Sequence, residues 1–210
     1  MGDDQTTLIQ PLASVTALIL AGGRSSRMGT DKALVRWRGV PLLQQVASVA
    51  LQCSDQVAIL TPWPDRYRSV LPGGDRYTWL VETQPHGGPL VALTQGLDQL
   101  VSPWVLLLAC DLPQLCPLTL NQWRGQLPSL PSSSLALVPH QPQGWEPLCG
   151  FYRRSAQVSL QSFRADGGRS FQAWLDQSPV VAIEYSTPSP IATMLFNCNH
   201  PTQVERVVDL

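Results

Sequence analysis

The chain is almost without lysine: of its 14 basic residues 13 are arginine, and the exception is Lys32. Arginine is a planar fork and lysine a compact ammonium on a flexible stem, so the position that keeps lysine is a candidate phosphate binder. Charge of either sign is scarce, 14% against the roughly 25% usual for soluble domains. The net charge of -1 gives no basic field to recruit nucleic acid, and no basic aromatic patch supplies one locally. The five cysteines (Cys53, Cys110, Cys116, Cys149, Cys198) are odd in number and form no C-x-x-C pair. That excludes a disulfide framework or a zinc site and leaves free thiols in a reducing cytosol. Met1 to Gln10 is polar and acidic, with no basic region before an apolar stretch, and no apolar run approaches the roughly 18 residues of a membrane span. A cytoplasmic protein without membrane contact is expected. His86, His140 and His200 share no motif, so no histidine-based chemistry is assigned.

With 210 residues and 44% hydrophobic content the chain can bury one substantial core. Residues 1–14 read as a polar extension and 15–210 as a single domain. Short apolar runs alternate with helical periods. Val15 to Leu20 is apolar throughout but for Thr16, as a strand buried on both faces would be. Pro41 to Leu51 has helical spacing, with Leu42, Leu43, Val46, Val49 and Ala50 recurring on one face after a proline start. Val57 to Leu60 and Trp79 to Val81 are the next strands. Pro89 to Leu100 is a helix with Leu90, Leu93, Leu97 and Leu100 in register. Trp104 to Ala109 is the most apolar strand. Leu135 to Val138, Leu148 to Tyr152 and Val180 to Ile183 are later strands, and Pro201 to Val208 is a closing helix. Gln126 to Ser134 reads as a surface loop between core elements. The alternation predicts an α/β fold with parallel strands, right-handed crossovers and a ligand crevice at the strands' carboxyl ends.

Chemistry concentrates at those ends. After the first strand comes Ala21-Gly22-Gly23-Arg24-Ser25-Ser26-Arg27-Met28-Gly29-Thr30-Asp31-Lys32. Glycines without Cβ let backbone N–H groups close on a phosphate, with Arg24, Arg27 and Lys32 adding charge. Neither G-x-x-x-x-G-K-[S/T] nor G-x-G-x-x-G occurs, so this is neither a P-loop nor a dinucleotide fingerprint. Asp111 follows the most apolar strand, a place for a carboxylate that could hold Mg²⁺ together with nucleotide phosphates, or cap the next turn. Glu82 ends another strand in the same way. Gly88 and Pro89 open a helix where a backbone could approach a ligand. Asn197 and Asn199 could read polar substrate atoms, and Asn199 also fits a helix N-cap before Pro201. Arg153 and Arg154 read as an exposed basic pair.

Taken in order, these segments resemble the molybdenum cofactor guanylyltransferases. The resemblance is carried by Leu20-Ala21-Gly22-Gly23, Arg27-Met28-Gly29, Asp31-Lys32, Gly88-Pro89-Leu90, Cys110-Asp111-Leu112-Pro113 and Asn197-x-Asn199-x-Pro201. It implies a single-domain Rossmann-like, GT-A-like nucleotidyltransferase fold with a mostly parallel sheet flanked by helices. It further implies Mg²⁺-dependent transfer of GMP from GTP to molybdopterin, giving molybdopterin guanine dinucleotide and pyrophosphate. Leu20, Ala21, Gly22, Gly23, Lys32, Glu82 and Asp111 would contact the nucleotide. Asp111 would hold Mg²⁺, and Lys32, Arg27 and Asp111 would act at the phosphates. Gly88, Pro89, Asn197 and Asn199 would meet substrate. Molybdenum-insertion proteins and recipient molybdoenzymes are the implied further partners. The chain departs from the family pattern in having Glu82 where an aspartate is commoner, Leu60-Thr61-Pro62 where some members carry an asparagine, and Gln203 in place of an acidic residue. A cytidylyltransferase on the same layout, or a binding protein without catalysis, are the competing readings.

Overall fold

The structure, a computed structural model, describes residues 12–22, 31–85 and 87–198. Its elements follow one another as β1 (Val15–Leu20), a 3-10 turn (Lys32–Leu34), the short pair β2 (Arg36–Trp37) and β3 (Val40–Pro41), then α1 (Leu42–Cys53), β4 (Gln56–Thr61), α2 (Pro64–Arg68) and β5 (Tyr77–Val81). Next come α3 (Pro89–Gln99), β6 (Trp104–Ala109), α4 (Pro117–Arg124), β7 (Ala136–Gln141), β8 (Gly144–Trp145) and β9 (Cys149–Arg153). The described chain closes with α5 (Ala156–Ala165), α6 (Phe171–Gln177), β10 (Val180–Glu184) and α7 (Pro190–Met194).

The central sheet has the order β10-β7-β9-β6-β1-β4-β5, with β8 paired to β7. β1 lies between β6 and β4 and runs parallel to both. β5 extends that half in parallel, and β10 runs parallel to β7. β9 is antiparallel to β6 and to β7, which the alternation of strands and helices does not announce. Because β9 reverses twice, β7 and β10 point the same way as β6. The carboxyl ends of all the parallel strands and the start of β9 therefore share one edge.

Central strands are apolar throughout because both faces are covered. On one face Val15, Ala17, Ile19, Leu106 and Leu108 pack with Val46, Ala50, Leu120 and Trp123 of α1 and α4. On the other, Leu18, Val105 and Leu107 pack with Leu93 and Leu97 of α3, Leu160 of α5 and Trp174 of α6.

Every strand expected from the sequence is present, and so are the helices after Pro41 and Pro89. The expected closing helix lies outside the described residues. The segment 126–134 is a loop with one 3-10 turn, pinned by buried Leu127, and it joins elements of one core. Arg153 corrects its expected role: it is half-buried, its Nε donates to the Ser134 carbonyl at 2.8 Å, and its guanidinium lies 4.4 Å from the Trp104 ring centroid. Arg154 is exposed. None of the five cysteines is in a disulfide: Cys53, Cys149 and Cys198 are buried, Cys110 and Cys116 half-buried. Among the described residues no helix is long and apolar enough to cross a membrane.

Candidate active site

A cleft of about 460 Å³ opens at the carboxyl edge of β1, β4, β5 and β6. It is lined by the end of β1, by Lys32 and its neighbours, by Glu82, by the start of α3 and by Asp111. Leu20, Ala21 and Gly22 carry β1 over the edge, and the Ala21 N–H donates to the Leu60 carbonyl at 3.0 Å. Gly22 has φ 124°, a backbone that side chains rarely adopt, and a Cβ there would stand 2.7 Å from Pro62 Cδ. Glycine is thus required twice over: for the turn, and for contact with the loop after β4.

The Lys32 ammonium meets the Asp111 carboxylate on the cleft wall, Nζ to Oδ2 at 2.9 Å. Their side chains are 25% and 14% exposed, so the pair is shielded but reachable. Lys32 is held in place from below. Asp31 caps the 3-10 turn, its Oδ1 accepting the Ala33 N–H at 3.1 Å. Asp31 Oδ2 accepts the Tyr67 hydroxyl at 2.7 Å and pairs with Arg66 Nε at 3.1 Å. Burial, and then the bond to Asp31, push the Tyr67 phenol far above its ordinary range, so it remains a donor. Sequence reasoning missed this brace of Asp31, Arg66 and Tyr67. The signal that could have found its helical part is Pro64-Asp65, a proline followed by an acidic residue at a helix start.

On the side of β5, the Glu82 N–H donates to the Thr61 carbonyl at 3.0 Å and the side chain lines the cleft. Burial raises its carboxyl above the ordinary value. The next residue is clamped by α3: Gln95 Oε1 accepts both the Thr83 N–H at 2.8 Å and its hydroxyl at 2.9 Å. Gly88, at φ 85°, precedes α3 and Pro89 sits inside its first turn, so the helix presents its N-terminus to the cleft, where the macrodipole favours anions. Cys110 also lines the cleft, but burial and the adjacent Asp111 charge push its thiol up, which makes it a poor nucleophile.

The structure therefore brings together Leu20, Ala21, Gly22, Lys32, Glu82, Gly88, Pro89 and Asp111 around one cleft. It adds Ala33, Leu60, Ala92 and Leu148, apolar residues that carry no chemical signature in sequence. Gly23, Arg27 and Asn199 lie outside the described residues. Asn197 is half-buried but not among the lining residues, and its Nδ2 donates to the Leu195 carbonyl at 3.3 Å. Its neighbour reaches the site through the backbone, Cys198 N–H to the Asp111 carbonyl at 3.0 Å.

The family model of the MobA-like NTP transferase domain matches residues 17–180. A protein of Nostoc sp. described as a probable molybdenum cofactor guanylyltransferase is 49% identical over 188 residues, 90% of this chain and 87% of that one. A protein of Synechococcus elongatus with the same description is 46% identical over 188 residues, 89% of this chain and 94% of that one. The crystal structure of molybdopterin-guanine dinucleotide biosynthesis protein A from Archaeoglobus fulgidus superposes with a TM-score of 0.72 at 20% identity, over 91% of this chain and 95% of that one. That likeness shows the fold, and the identity to the first two shows the family: this chain belongs to the molybdenum cofactor guanylyltransferases, within the MobA-like NTP transferases.

Proposed function

We propose that this protein transfers GMP from GTP to molybdopterin, releasing pyrophosphate, and that the cleft around Lys32 and Asp111 is where it does so. The observation that carries this reading is the shielded Lys32–Asp111 pair, 2.9 Å apart, between a glycine turn and a helix N-terminus. That setting suits a triphosphate: backbone N–H groups, a helix dipole and an ammonium all favour negative charge.

The acceptor's terminal phosphate has a second pKa of about 6 and is largely ionised at neutral pH, so no side chain needs to take a proton. Its oxygen attacks the α-phosphorus of GTP. A new O–P bond forms, the bond from the α-phosphorus to the bridging oxygen breaks, and pyrophosphate leaves with that oxygen. Positioning and charge neutralisation are then the whole of catalysis. In this reading Leu20, Ala21 and Gly22 bind the nucleotide through backbone groups, together with Gly23. Lys32 and Arg27 stabilise charge building on the phosphates.

Asp111 suits Mg²⁺ by its chemistry. It is a hard oxygen donor facing the cleft, and Mg²⁺ takes one or two carboxylates plus nucleotide phosphates. Among the described residues no group of three or more His, Cys, Asp or Glu side chains could hold a metal alone, so phosphate oxygens would complete the set. When bound, Mg²⁺ supplies charge neutralisation at the attacked phosphate and the leaving pyrophosphate. Five cysteines outside any disulfide fit a cytoplasmic enzyme.

The test is dinucleotide formation from molybdopterin and Mg²⁺ with GTP, CTP, ATP or UTP supplied separately. Product from GTP alone is expected. Preference for CTP would overturn the base assignment, and no product from any nucleotide would overturn the transfer.

A further inference from the structure

Two half-buried glutamates stand at the carboxyl edge of the sheet: Glu82 lines the cleft that holds the Lys32–Asp111 pair, and Glu146 stands outside that lining, two residues before the cleft-lining Leu148. Glu82 follows β5 on one flank of β6. Glu146 lies on the other flank, in the turn from β8 to β9. The Glu146 turn belongs to the site's architecture: its N–H donates to the Pro139 carbonyl at 2.9 Å, and two residues on, the cleft-lining Leu148 accepts the Ala109 N–H at 2.9 Å.

Both side chains are short of partners. Among the described residues Glu82 has no hydrogen-bonded or ionic partner for its carboxylate. Glu146 has the Tyr185 hydroxyl at 3.5 Å, the outer limit of a hydrogen bond. Burial raises the carboxyl of each, in Glu146 against the Tyr185 bond that lowers it. A half-buried carboxylate without a donor carries a desolvation cost that a bound ligand can offset.

The two substrates of the proposed reaction carry one chemistry twice. Guanine and the pterin of the acceptor each present a 2-amino-oxopyrimidine edge, with a ring N–H beside an exocyclic amine. Two parallel N–H donors match the two oxygens of a carboxylate, as a guanidinium fork does. Cytosine does not, since it sets a ring acceptor beside its amine. The glycine turn, Glu82 and the start of α3 come from β1, β5 and α3 and occupy the nucleotide's flank of Asp111. An acceptor attacking in line comes from the side opposite the leaving pyrophosphate, over β9, β7 and β10.

We infer that Glu146, backed by Tyr185, binds the pterin edge of the acceptor, while Glu82 binds the matching edge of guanine. The assignment rests on the guanylyl-transfer reading, and it fixes which carboxylate serves which substrate.

The test measures molybdopterin binding to the full chain without nucleotide, together with the KM of each substrate. Glu146→Gln weakens the acceptor at least tenfold and leaves the KM for GTP within twofold. Glu82→Gln does the reverse. Acceptor binding within twofold of wild type in Glu146→Gln, or a raised KM for GTP there, overturns the assignment. Wild-type protein provides an arm that needs no variant to fold: 6-hydroxymethylpterin displaces molybdopterin at least tenfold better than its 2,4-dioxo counterpart, and equal displacement overturns the proposal. If wild type makes no dinucleotide, the transfer reading fails, while molybdopterin binding by Glu146→Gln still decides Glu146.

Discussion

Lys32 is where a single atom's charge carries the account. Replacing one preorganised charge or donor that meets a transition state costs roughly 10²–10³ in rate. Lys32→Ala is expected to lower kcat by about that factor with the Kd for GTP changing several-fold at most. Stopped-flow nucleotide binding beside steady-state rates separates the two, and equal losses would remove Lys32 from the reaction. Lys32→Arg is expected to fall well below wild type, because a planar fork cannot replace an ammonium seated 2.9 Å from Asp111 Oδ2. Gly22→Ala is expected to abolish measurable GTP binding, since the new Cβ meets Pro62 Cδ at 2.7 Å on a backbone at φ 124°. Binding near the wild-type value would show that the turn relaxes. These residues were legible in the sequence because each breaks its background: a lone lysine, paired glycines after an apolar strand, an aspartate after another. Asp31 was in view as part of the same motif, but its role was not. It depends on Tyr67, 36 residues on, and that pairing exists only once α2 has folded back.

At the scale of elements, the anchor between α4 and β1 ties down the amino-terminal edge of the sheet, opposite the cleft. The Arg124 guanidinium is buried. It donates to the Ala13 carbonyl at 2.8 and 3.1 Å, to the Cys53 carbonyl at 3.3 Å and to Asp55 Oδ1 at 2.7 Å. Arg124→Ala strands those acceptors and is expected to cost about 2–4 kcal/mol in chemical denaturation, most of it from the backbone carbonyls. A loss under 0.5 kcal/mol would mean water replaces the guanidinium, on the same mutational scale. The anchor also titrates. Burial alone would raise the Asp55 carboxyl, but the Val15 N–H at 2.9 Å and Arg124 outweigh it, leaving Asp55 below its ordinary value of 3.8. Its contribution is therefore present above the unfolded value and lost as pH falls through the lowered one. Asp55→Asn is expected to flatten the acid limb of the stability curve, and an unchanged limb would place the acid sensitivity elsewhere. Elements were legible in proportion to their apolar signal. β1 and β6 are buried on both faces and read without ambiguity. α5 buries only Ala156 and Leu160, and α7 is a five-residue turn with Met194 inside, so neither writes a stripe wide enough to recognise.

For the whole molecule, one reversed strand joins the β1, β4, β5 and β6 part of the sheet to the β7 and β10 part. β9 runs against both β6 and β7, which sets β7 and β10 beyond it while keeping every parallel strand's carboxyl end on one edge. The order of motifs along the chain carried the family, and the apolar runs carried the sheet. The antiparallel insertion of β9 was not legible, because a strand's direction follows from the path of its connections. For the same reason Glu146 drew no notice in sequence: it becomes part of the edge only when β8 and β9 turn back toward β6. The central claim is that this edge joins a nucleotide to an acceptor at Lys32 and Asp111. Pyrophosphate release by purified protein, with GTP and Mg²⁺, in the presence and absence of molybdopterin, tests it most directly. The account predicts release that requires the acceptor and disappears in Asp111→Ala, with that variant still folded by circular dichroism. Release without acceptor, or release that persists in folded Asp111→Ala, would contradict it.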